Sequence, residues 1–226
     1  MSELALRLGD DALIAAQRLS AWCANAHELE EDVALANIAL DLLGQARLLL
    51  TVAGEADGRT EDDLAYLRDE RAFRNVQLVE LPDGDFAATV VKMLFFSAYQ
   101  KHLYESLADD EVLGGVAGKA VKEAAYHLDH AVTWTRRLGD GTGESHRRMQ
   151  AAVDALWPYT YELFEGNELR EPWLKTVEPI LVEATLTRPG DGWAPTGGRQ
   201  GIHTEHMGYL LAEMQHLRRS HPGATW

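Results

Sequence analysis

The sequence predicts an all-α protein organised as an antiparallel helical bundle, and three observations support this. The first two prolines are Pro82 and Pro158, so two long stretches lack the strongest helix breaker. In these stretches apolar residues recur at three- and four-residue spacing, and almost no segment alternates as a strand would. Long helices joined by both short and long connections are typical of a bundle.

Four bundle helices are expected at about 11–25, 29–56, 86–107 and 116–138. Asp10 and Asp11 are candidate caps of the first helix, and Asp85 is a candidate cap of the third. Apolar residues of the second helix face nearly all directions, which predicts burial on most sides. Accessory helices are expected at about 145–164, 172–187 and 201–220, so that one domain spans 1–226.

Shorter patterns complete this assignment. Thr60-Glu-Asp-Asp63 has the form of a capping box and opens a short helix that runs through Arg71. His203-Thr-Glu-His206 stands near the start of the last helix, where Thr and Glu serve as caps, so capping is the expected role. Neither pattern by itself indicates a catalytic or metal-binding role.

Composition excludes several classes of function. The 226 residues carry 36 acidic and 21 basic side chains, a formal charge of −15, which disfavours nucleic-acid and membrane-surface partners. Cys23 is the only cysteine, and its apolar helical surroundings predict a packed thiol in a reducing compartment. No signal-like start occurs, and no apolar run approaches the roughly 20 residues of a membrane span. The expected location is the cytoplasm.

A long helical bundle raises the question of a di-iron site. Such a site takes one glutamate from each of two helices and a Glu-x-x-His pair from each of the other two. The second predicted helix offers Asp41, but the residue three positions later is Gly44. The fourth offers Glu123, and His127 follows one position too late. The first and third predicted helices have no central carboxylate, so the ligand set is incomplete.

The remaining polar residues leave two interpretations open. Glu123, His127 and His130 share one helix face, where they could hold a zinc ion, and Glu123 with His127 could equally be a hydrogen-bonded pair. Asn37 and Asp41 are either hydrogen-bonded polar groups in an apolar helix or former ligand positions. Glu213 and His216 have ligand spacing but lie in the last helix without a second such pair.

An arginine cluster also has two interpretations. Arg68, Arg71 and Arg74 lie within a stretch of seven residues, although the chain as a whole is acidic. They form either a solvated helix end paired with Asp69 and Glu70, or an anchor for a phosphate or an acidic partner surface.

Four motifs carry a resemblance to a known family. They are the run from Glu28 to Arg47, the block Arg68-Asp-Glu-Arg71 with Phe73 and Asn75, Lys122-Glu-Ala124 with Tyr126-His127, and Thr196-Gly-Gly198 with Gly201-x-His-Thr-Glu-His206. Over nearly its whole length the chain resembles the C subunits of the bacterial ring-1,2-phenylacetyl-CoA epoxidases. The resemblance implies a ferritin-like four-helix bundle with additional C-terminal helices, in a multicomponent monooxygenase of aerobic phenylacetate breakdown.

The resemblance also implies partners and cofactors. A paralogous A subunit would hold the di-iron centre, and phenylacetyl-CoA would be bound mainly by that subunit. This chain would be a structural subunit without cofactor or metal. A small bridging subunit and a reductase with NADPH, FAD and an iron–sulfur cluster would complete the system. Ala72, Phe73, Arg74 and Asn75 would face the partner's CoA site, and Asp41, Glu123 and His127 would be vestigial metal-site positions.

Two alternatives remain. The chain could be a metal-dependent, di-iron-like oxidase in its own right, using Asp41, Glu123 and His127. It could also be a helical adaptor unrelated to oxygenation. Metal content and association with an acid-rich Glu-x-x-His partner would separate the three hypotheses.

Overall fold

The computed structural model describes residues 2–224, and the all-α prediction is confirmed within them, with eight α-helices and no strand. The helices are α1 Ser2–Ser20, α2 Leu29–Gly54, α3 Glu61–Tyr66, α4 Phe86–Ser106, α5 Gly114–Gly139, α6 Gly143–Leu156, α7 Arg170–Glu183 and α8 Glu205–Ser220. Short 3₁₀ segments occupy Glu70–Ala72, Gln77–Glu80, Trp157–Phe164 and Gly198–Gln200. The accessory helix expected at 145–164 therefore ends as an α-helix before Pro158, whose ring cannot continue it.

The chain divides into two compact units. The first comprises Met1–Pro82 with Gly197–Trp226, and the second comprises Asp83–Thr196. A long helical hairpin forms the centre of each unit, α1 with α2 in the first and α4 with α5 in the second. The single domain over 1–226 and the four-helix arrangement stay predictions.

The first unit departs from the sequence prediction at α1. This helix begins at Ser2, so Asp10 and Asp11 lie in its middle and are buried instead of capping it. The helix ends at Ser20, and Cys23 lies exposed in the turn that follows. The predictions of an aspartate cap and of a packed thiol were wrong, because the helix is placed about nine residues earlier than its apolar pattern suggested.

Helix α2 is buried on one side only. Leu35, Ile38 and Leu42 are buried, whereas Leu40 is 63% exposed and Val33 53%. Burial on most sides was therefore a wrong expectation. Among the described helices, α2 is long and apolar enough by length and composition to cross a membrane, with a mean hydropathy of 1.5 over an 18-residue window. Because core helices of soluble proteins pass the same test, this is weak evidence.

Local caps set several helix starts as the sequence predicts. Thr60 and Asp63 form the expected capping box at α3, since each side chain accepts the other's backbone N–H. Asp85 Oδ1 accepts the Ala88 N–H at 3.0 Å and begins α4. Thr204 caps α8 by accepting the His206 N–H at 3.4 Å.

An aromatic core holds the second unit together. Phe95 on α4 contacts Trp157 and Trp173 edge-on, with ring centroids 5.5 and 5.6 Å apart. The Trp173 indole N–H also donates to the Phe95 carbonyl oxygen at 2.9 Å. These contacts fix α7 and the 3₁₀ segment after α6 against α4, because large rings bury much apolar area with defined geometry.

Candidate functional site

Two buried ion pairs tie distant segments of the first unit to α1. The Arg68 guanidinium donates to both carboxylate oxygens of Asp10, with Nη1 2.9 Å from Oδ2. Arg199 donates to both carboxylate oxygens of Asp11 in the same bidentate way, with Nη2 2.7 Å from Oδ2 and Nη1 3.0 Å from Oδ1. All four side chains are buried. Such pairs offset their desolvation only through good geometry and additional hydrogen bonds.

The additional hydrogen bonds come from the backbone of the segment 74–76. Asp10 Oδ2 accepts the Arg74 N–H at 2.8 Å, and Asp11 Oδ1 accepts the Val76 N–H at 2.8 Å. Burial raises the pKa of both aspartates, while the neighbouring guanidinium groups oppose this rise. The two carboxylates therefore fix the backbone conformation of this segment.

A third buried carboxylate, Glu80, joins the same region to the start of α8. Its Oε1 lies 2.5 Å from His203 Nδ1 and accepts the Asn75 side-chain N–H at 2.9 Å. Its Oε2 accepts the Thr204 N–H and hydroxyl at 2.7 and 2.8 Å. Burial alone would lower the pKa of His203, but the hydrogen bond and negative charge of Glu80 outweigh it and raise that pKa.

The expected CoA-facing residues divide into two pairs. Phe73 and Asn75 are buried, and Phe73 packs its ring under the Arg68 guanidinium at 4.1 Å. Ala72 and Arg74 are half-buried and reach the surface. Of the four residues, only Ala72 and Arg74 are therefore accessible to solvent to an appreciable degree.

Arg74 is held in place from one side. Its Nη1 donates to the carbonyl oxygens of Arg71 and Phe73 at 2.8 and 2.7 Å, which leaves Nε and Nη2 as the remaining donors. These hydrogen bonds of Arg74 require a glycine at position 201. A Cβ there would lie 2.3 Å from the Arg71 carbonyl oxygen and 3.0 Å from Arg74 Nη1, which is too close. The structure thus positions one guanidinium at the surface.

The three arginines of the cluster have different surroundings. Arg68 is an internal ion-pair partner, which neither interpretation of the cluster anticipated. Arg71 is exposed, and Asp69 pairs with Arg219 instead of with a neighbouring arginine.

The expected metal-site positions lie in different units. Asp41 is half-buried on α2 of the first unit. His127 is buried on α5 of the second unit, and Glu123 on the same helix lies 3.3 Å from Lys119 Nζ. Within residues 2–224, no three His, Cys, Asp or Glu side chains come together as a metal site.

Two other sequence features prove to be surface features. Glu213 and His216 are both exposed on α8. Cys23 lines an apolar groove of about 280 Å³ in the first unit, together with residues of α1, α2, α3 and α8: Leu13, Ala16, Leu40, Leu43, Tyr66 and Met214.

Sequence reasoning missed the buried network because its partners are far apart along the chain. Asp11 and Arg199 are 188 residues apart, and Glu80 and His203 are 123 apart. The available signal was an Asp-Asp pair inside an apolar helix, where charged residues are rarely buried unless paired.

Comparisons with known proteins agree with the motifs of the sequence. The family model described as phenylacetic acid catabolic protein matches residues 1–226. The chain is also similar to the C subunit of 1,2-phenylacetyl-CoA epoxidase from Escherichia coli strain K12, with 46% identity over 240 aligned residues that cover 98% of this chain and 97% of that protein. The resemblance stated from the motifs is thereby confirmed, and the chain belongs to the phenylacetic acid catabolic protein family.

Proposed function

We propose that this chain is a non-catalytic structural subunit of a phenylacetyl-CoA epoxidase in aerobic phenylacetate catabolism, acting in the cytoplasm. It pairs with and stabilises a paralogous catalytic subunit that holds the di-iron centre. The name of the E. coli relative supports this proposal, since a protein named as one subunit of an epoxidase works with other subunits. The observation that carries the pairing is the exposed apolar face of α2.

This face has the spacing of a helix–helix interface. Leu29, Val33, Ala36, Leu40 and Leu43 follow one another at intervals of four, three, four and three residues. Four of them are exposed, and Ala36 is half-buried. A four-three repeat of apolar residues is the pattern by which one long helix packs along another. A helical partner subunit would therefore cover this face, which we call the α2 seam.

The donor set supports a non-catalytic role. A di-iron oxygenase needs about four carboxylates and two imidazoles at one level. Of the residues that could serve here, Asp41, Glu123 and His127, none belongs to a three-residue cluster of metal-binding side chains among the described residues. The chemistry is accordingly assigned to the partner, with electrons from a reductase that carries FAD and an iron–sulfur cluster and uses NADPH.

The segment Ala72–Asn75 supports a place beside the substrate of the partner. Phenylacetyl-CoA would be bound mainly by the catalytic subunit, with Arg74 offering its Nε and Nη2 donors to a CoA phosphate. Guanidinium groups bind phosphate oxygens through paired hydrogen bonds. A small bridging subunit would complete the assembly.

Metal content tests the division of labour. The chain would be purified alone and after mixing with the catalytic paralogue, and iron would be measured by mass spectrometry with epoxidation assayed in both samples. We expect an iron-free, inactive lone chain and a metallated mixture that turns over with the reductase. Two irons per lone chain would contradict the proposal and favour the oxidase alternative.

A substitution in the α2 seam tests the pairing. Leu40→Asp should leave the lone chain folded, because Leu40 is 63% exposed, and should weaken binding to the paralogue about tenfold or more. Val182→Asp is the matched control, since Val182 is 73% exposed on α7 of the other unit.

Cys23 gives this experiment a second readout. It is the only cysteine and lines the groove beside Leu40 and Leu43, so complex formation should slow its alkylation by a maleimide. Unchanged binding by Leu40→Asp together with unchanged alkylation of Cys23 would place the partner elsewhere.

A further inference from the structure

The backbone on either side of Arg74 is held by three buried side chains. Asp10 accepts the Arg74 N–H and Asp11 accepts the Val76 N–H, each at 2.8 Å. Arg199 Nη1 donates to the Arg74 carbonyl oxygen at 2.8 Å. All three belong to buried ion pairs, so the peptide groups around Arg74 have little freedom to move.

The Phe73 carbonyl oxygen is contacted by two nitrogen atoms. Arg74 Nη1 donates to it at 2.7 Å, and His203 Nε2 lies 3.3 Å from it. The same Arg74 nitrogen also donates to the Arg71 carbonyl oxygen at 2.8 Å. The position of the Phe73 carbonyl therefore helps to set the plane of the Arg74 guanidinium, and His203 contacts that carbonyl directly.

Both ring nitrogens of His203 face oxygen atoms. Nδ1 lies 2.5 Å from Glu80 Oε1, while Nε2 faces the Phe73 carbonyl. A neutral imidazole has one N–H and one lone pair, so it could donate to only one of these oxygens. A carbonyl oxygen has no proton to offer, and a lone pair on Nε2 would repel it. The geometry is satisfied by the doubly protonated imidazolium.

Glu80 accepts hydrogen bonds as an ionised carboxylate would. Its remaining contacts are the side-chain N–H of Asn75 and the backbone N–H and hydroxyl of Thr204, and all of these are donors. The side chains of Glu80 and His203 have no exposed surface, so solvent does not reach these hydrogen bonds. The loss of a proton from His203 would therefore act on its protein neighbours.

The charges around His203 favour the same protonation state. Burial lowers the pKa of His203, but the hydrogen bond to Glu80 and the negative charges of Glu80 and Glu70 outweigh it and raise that pKa. Both glutamates lie in 3₁₀ segments. The other ionisable groups of this region are Arg18 and Asp11 of α1, Arg74, Arg199, and His206 of α8.

We infer that the imidazolium form of His203 positions Arg74. Its Nε2–H holds the Phe73 carbonyl oxygen, and that oxygen orients the guanidinium whose Nε and Nη2 remain for an anion. When the proton leaves, the Nε2 lone pair repels the carbonyl, and Arg74 loses its orientation. The inference rests on the proposed function for the identity of the anion, a CoA phosphate.

The first test follows both residues by NMR in the lone, unaltered chain from pH 5.5 to 9. The ¹³Cζ–¹⁵Nε correlation of Arg74, assigned with Arg74→Lys, should shift with the same midpoint as the ring resonances of His203, assigned with His203→Gln. Arg170, in the second unit, is the control and should not follow this midpoint. Because the unaltered chain gives the pH profile, this readout does not depend on the stability of a variant.

Sulfate is the anion probe, because it keeps its double negative charge over this pH range. Its affinity, measured from the shift of the Arg74 correlation, should fall about threefold or more between pH 5.5 and 9, the usual contribution of one hydrogen bond. In His203→Gln the affinity should be low already at pH 5.5 and independent of pH. His216→Gln removes an exposed histidine of α8 and should keep the profile of the unaltered chain.

Three results would overturn the inference. They are an Arg74 correlation that stays constant while His203 titrates, a His203 that keeps one protonation state over the whole range, and a sulfate affinity that does not change with pH. Failure of the chain to bind its catalytic paralogue would instead contradict the proposed function. The coupling measured on the lone chain would then stand, with an anion other than a CoA phosphate.

Discussion

At the scale of residues, the stability of the first unit depends on buried ion pairs. Asp11→Ala would leave the Arg199 guanidinium buried without its bidentate partner, and the Val76 N–H would lose its acceptor. Breaking one side of a buried pair costs about 3–5 kcal/mol. We expect urea unfolding to show a loss of that size, and an Asp11→Ala chain as stable as the unaltered one would contradict it.

A matched surface pair provides the control for this prediction. Glu171 and Lys175 are 2.7 Å apart on α7, and both are largely exposed. Glu171→Ala removes the same kind of charge contact in water, where screening and side-chain entropy cancel most of the gain. No measurable change in the urea midpoint is expected for that variant.

The Glu80–His203 contact should make stability depend on pH. Because the pKa of His203 is raised above its usual 6.5, the folded protein favours the imidazolium. The stabilisation is fully present below pH 6.5 and is lost as the pH rises through the folded-state pKa. The difference in unfolding free energy between the unaltered chain and His203→Gln should therefore be largest in acid and shrink toward alkaline pH.

The pH experiment has its own control in an exposed histidine. His216→Gln, on the surface of α8, should leave the pH profile of stability unchanged. A profile of His203→Gln that runs parallel to the unaltered chain over pH 5.5–9 would show that His203 contributes no charge-dependent stability.

At the scale of elements, α6 depends on its first turn. Thr142 Oγ1 accepts the Ser145 N–H at 3.1 Å, and Ser145 Oγ accepts the Thr142 N–H at 2.9 Å. Thr142→Ala should cost about 1 kcal/mol, the usual value of an N-cap, while Thr142→Ser keeps the oxygen and most of the stability. Thermal or urea unfolding distinguishes the two variants, and equal losses would mean that the cap contributes little.

Element predictions from sequence were accurate where the determinants are local. The Thr60–Asp63 box and the Asp85 cap were predicted because cap and helix lie within four residues of each other. The start of α1 was wrong because an aspartate that caps a helix and one that binds a distant arginine look alike along the chain. Arg68 is 58 residues from Asp10, so nothing nearby marks the pair.

The exposed side of α2 shows a second limit of local patterns. Periodicity identifies apolar positions, but it does not distinguish burial within the chain from a face left for another molecule. Leu35 and Leu40 are equally apolar, yet one is buried and the other is 63% exposed. The candidate seam therefore required the structure, whereas the incomplete metal-ligand set could be argued from spacing along single helices.

At the scale of the whole molecule, the central question is whether the chain contributes chemistry or support. Glu123 is the sharpest probe, because its side chain is only 15% exposed and lies among the expected vestigial positions. Glu123→Ala removes a largely buried carboxylate and its ion pair with Lys119 Nζ, 3.3 Å away, and a loss of about 0.5–3 kcal/mol in the free energy of unfolding is expected. We expect a less stable chain or weaker assembly, with epoxidation per assembled complex nearly unchanged.

Measuring stability, assembly and turnover on the same Glu123 variants separates these contributions. Glu123→Gln keeps the shape and one side-chain oxygen acceptor, so it should recover much of the stability that Glu123→Ala loses. In a supporting subunit, turnover then follows the amount of complex in both variants. A Glu123→Ala complex that folds and assembles normally yet loses turnover completely would place this carboxylate in the chemistry, and the oxidase hypothesis would replace the structural one.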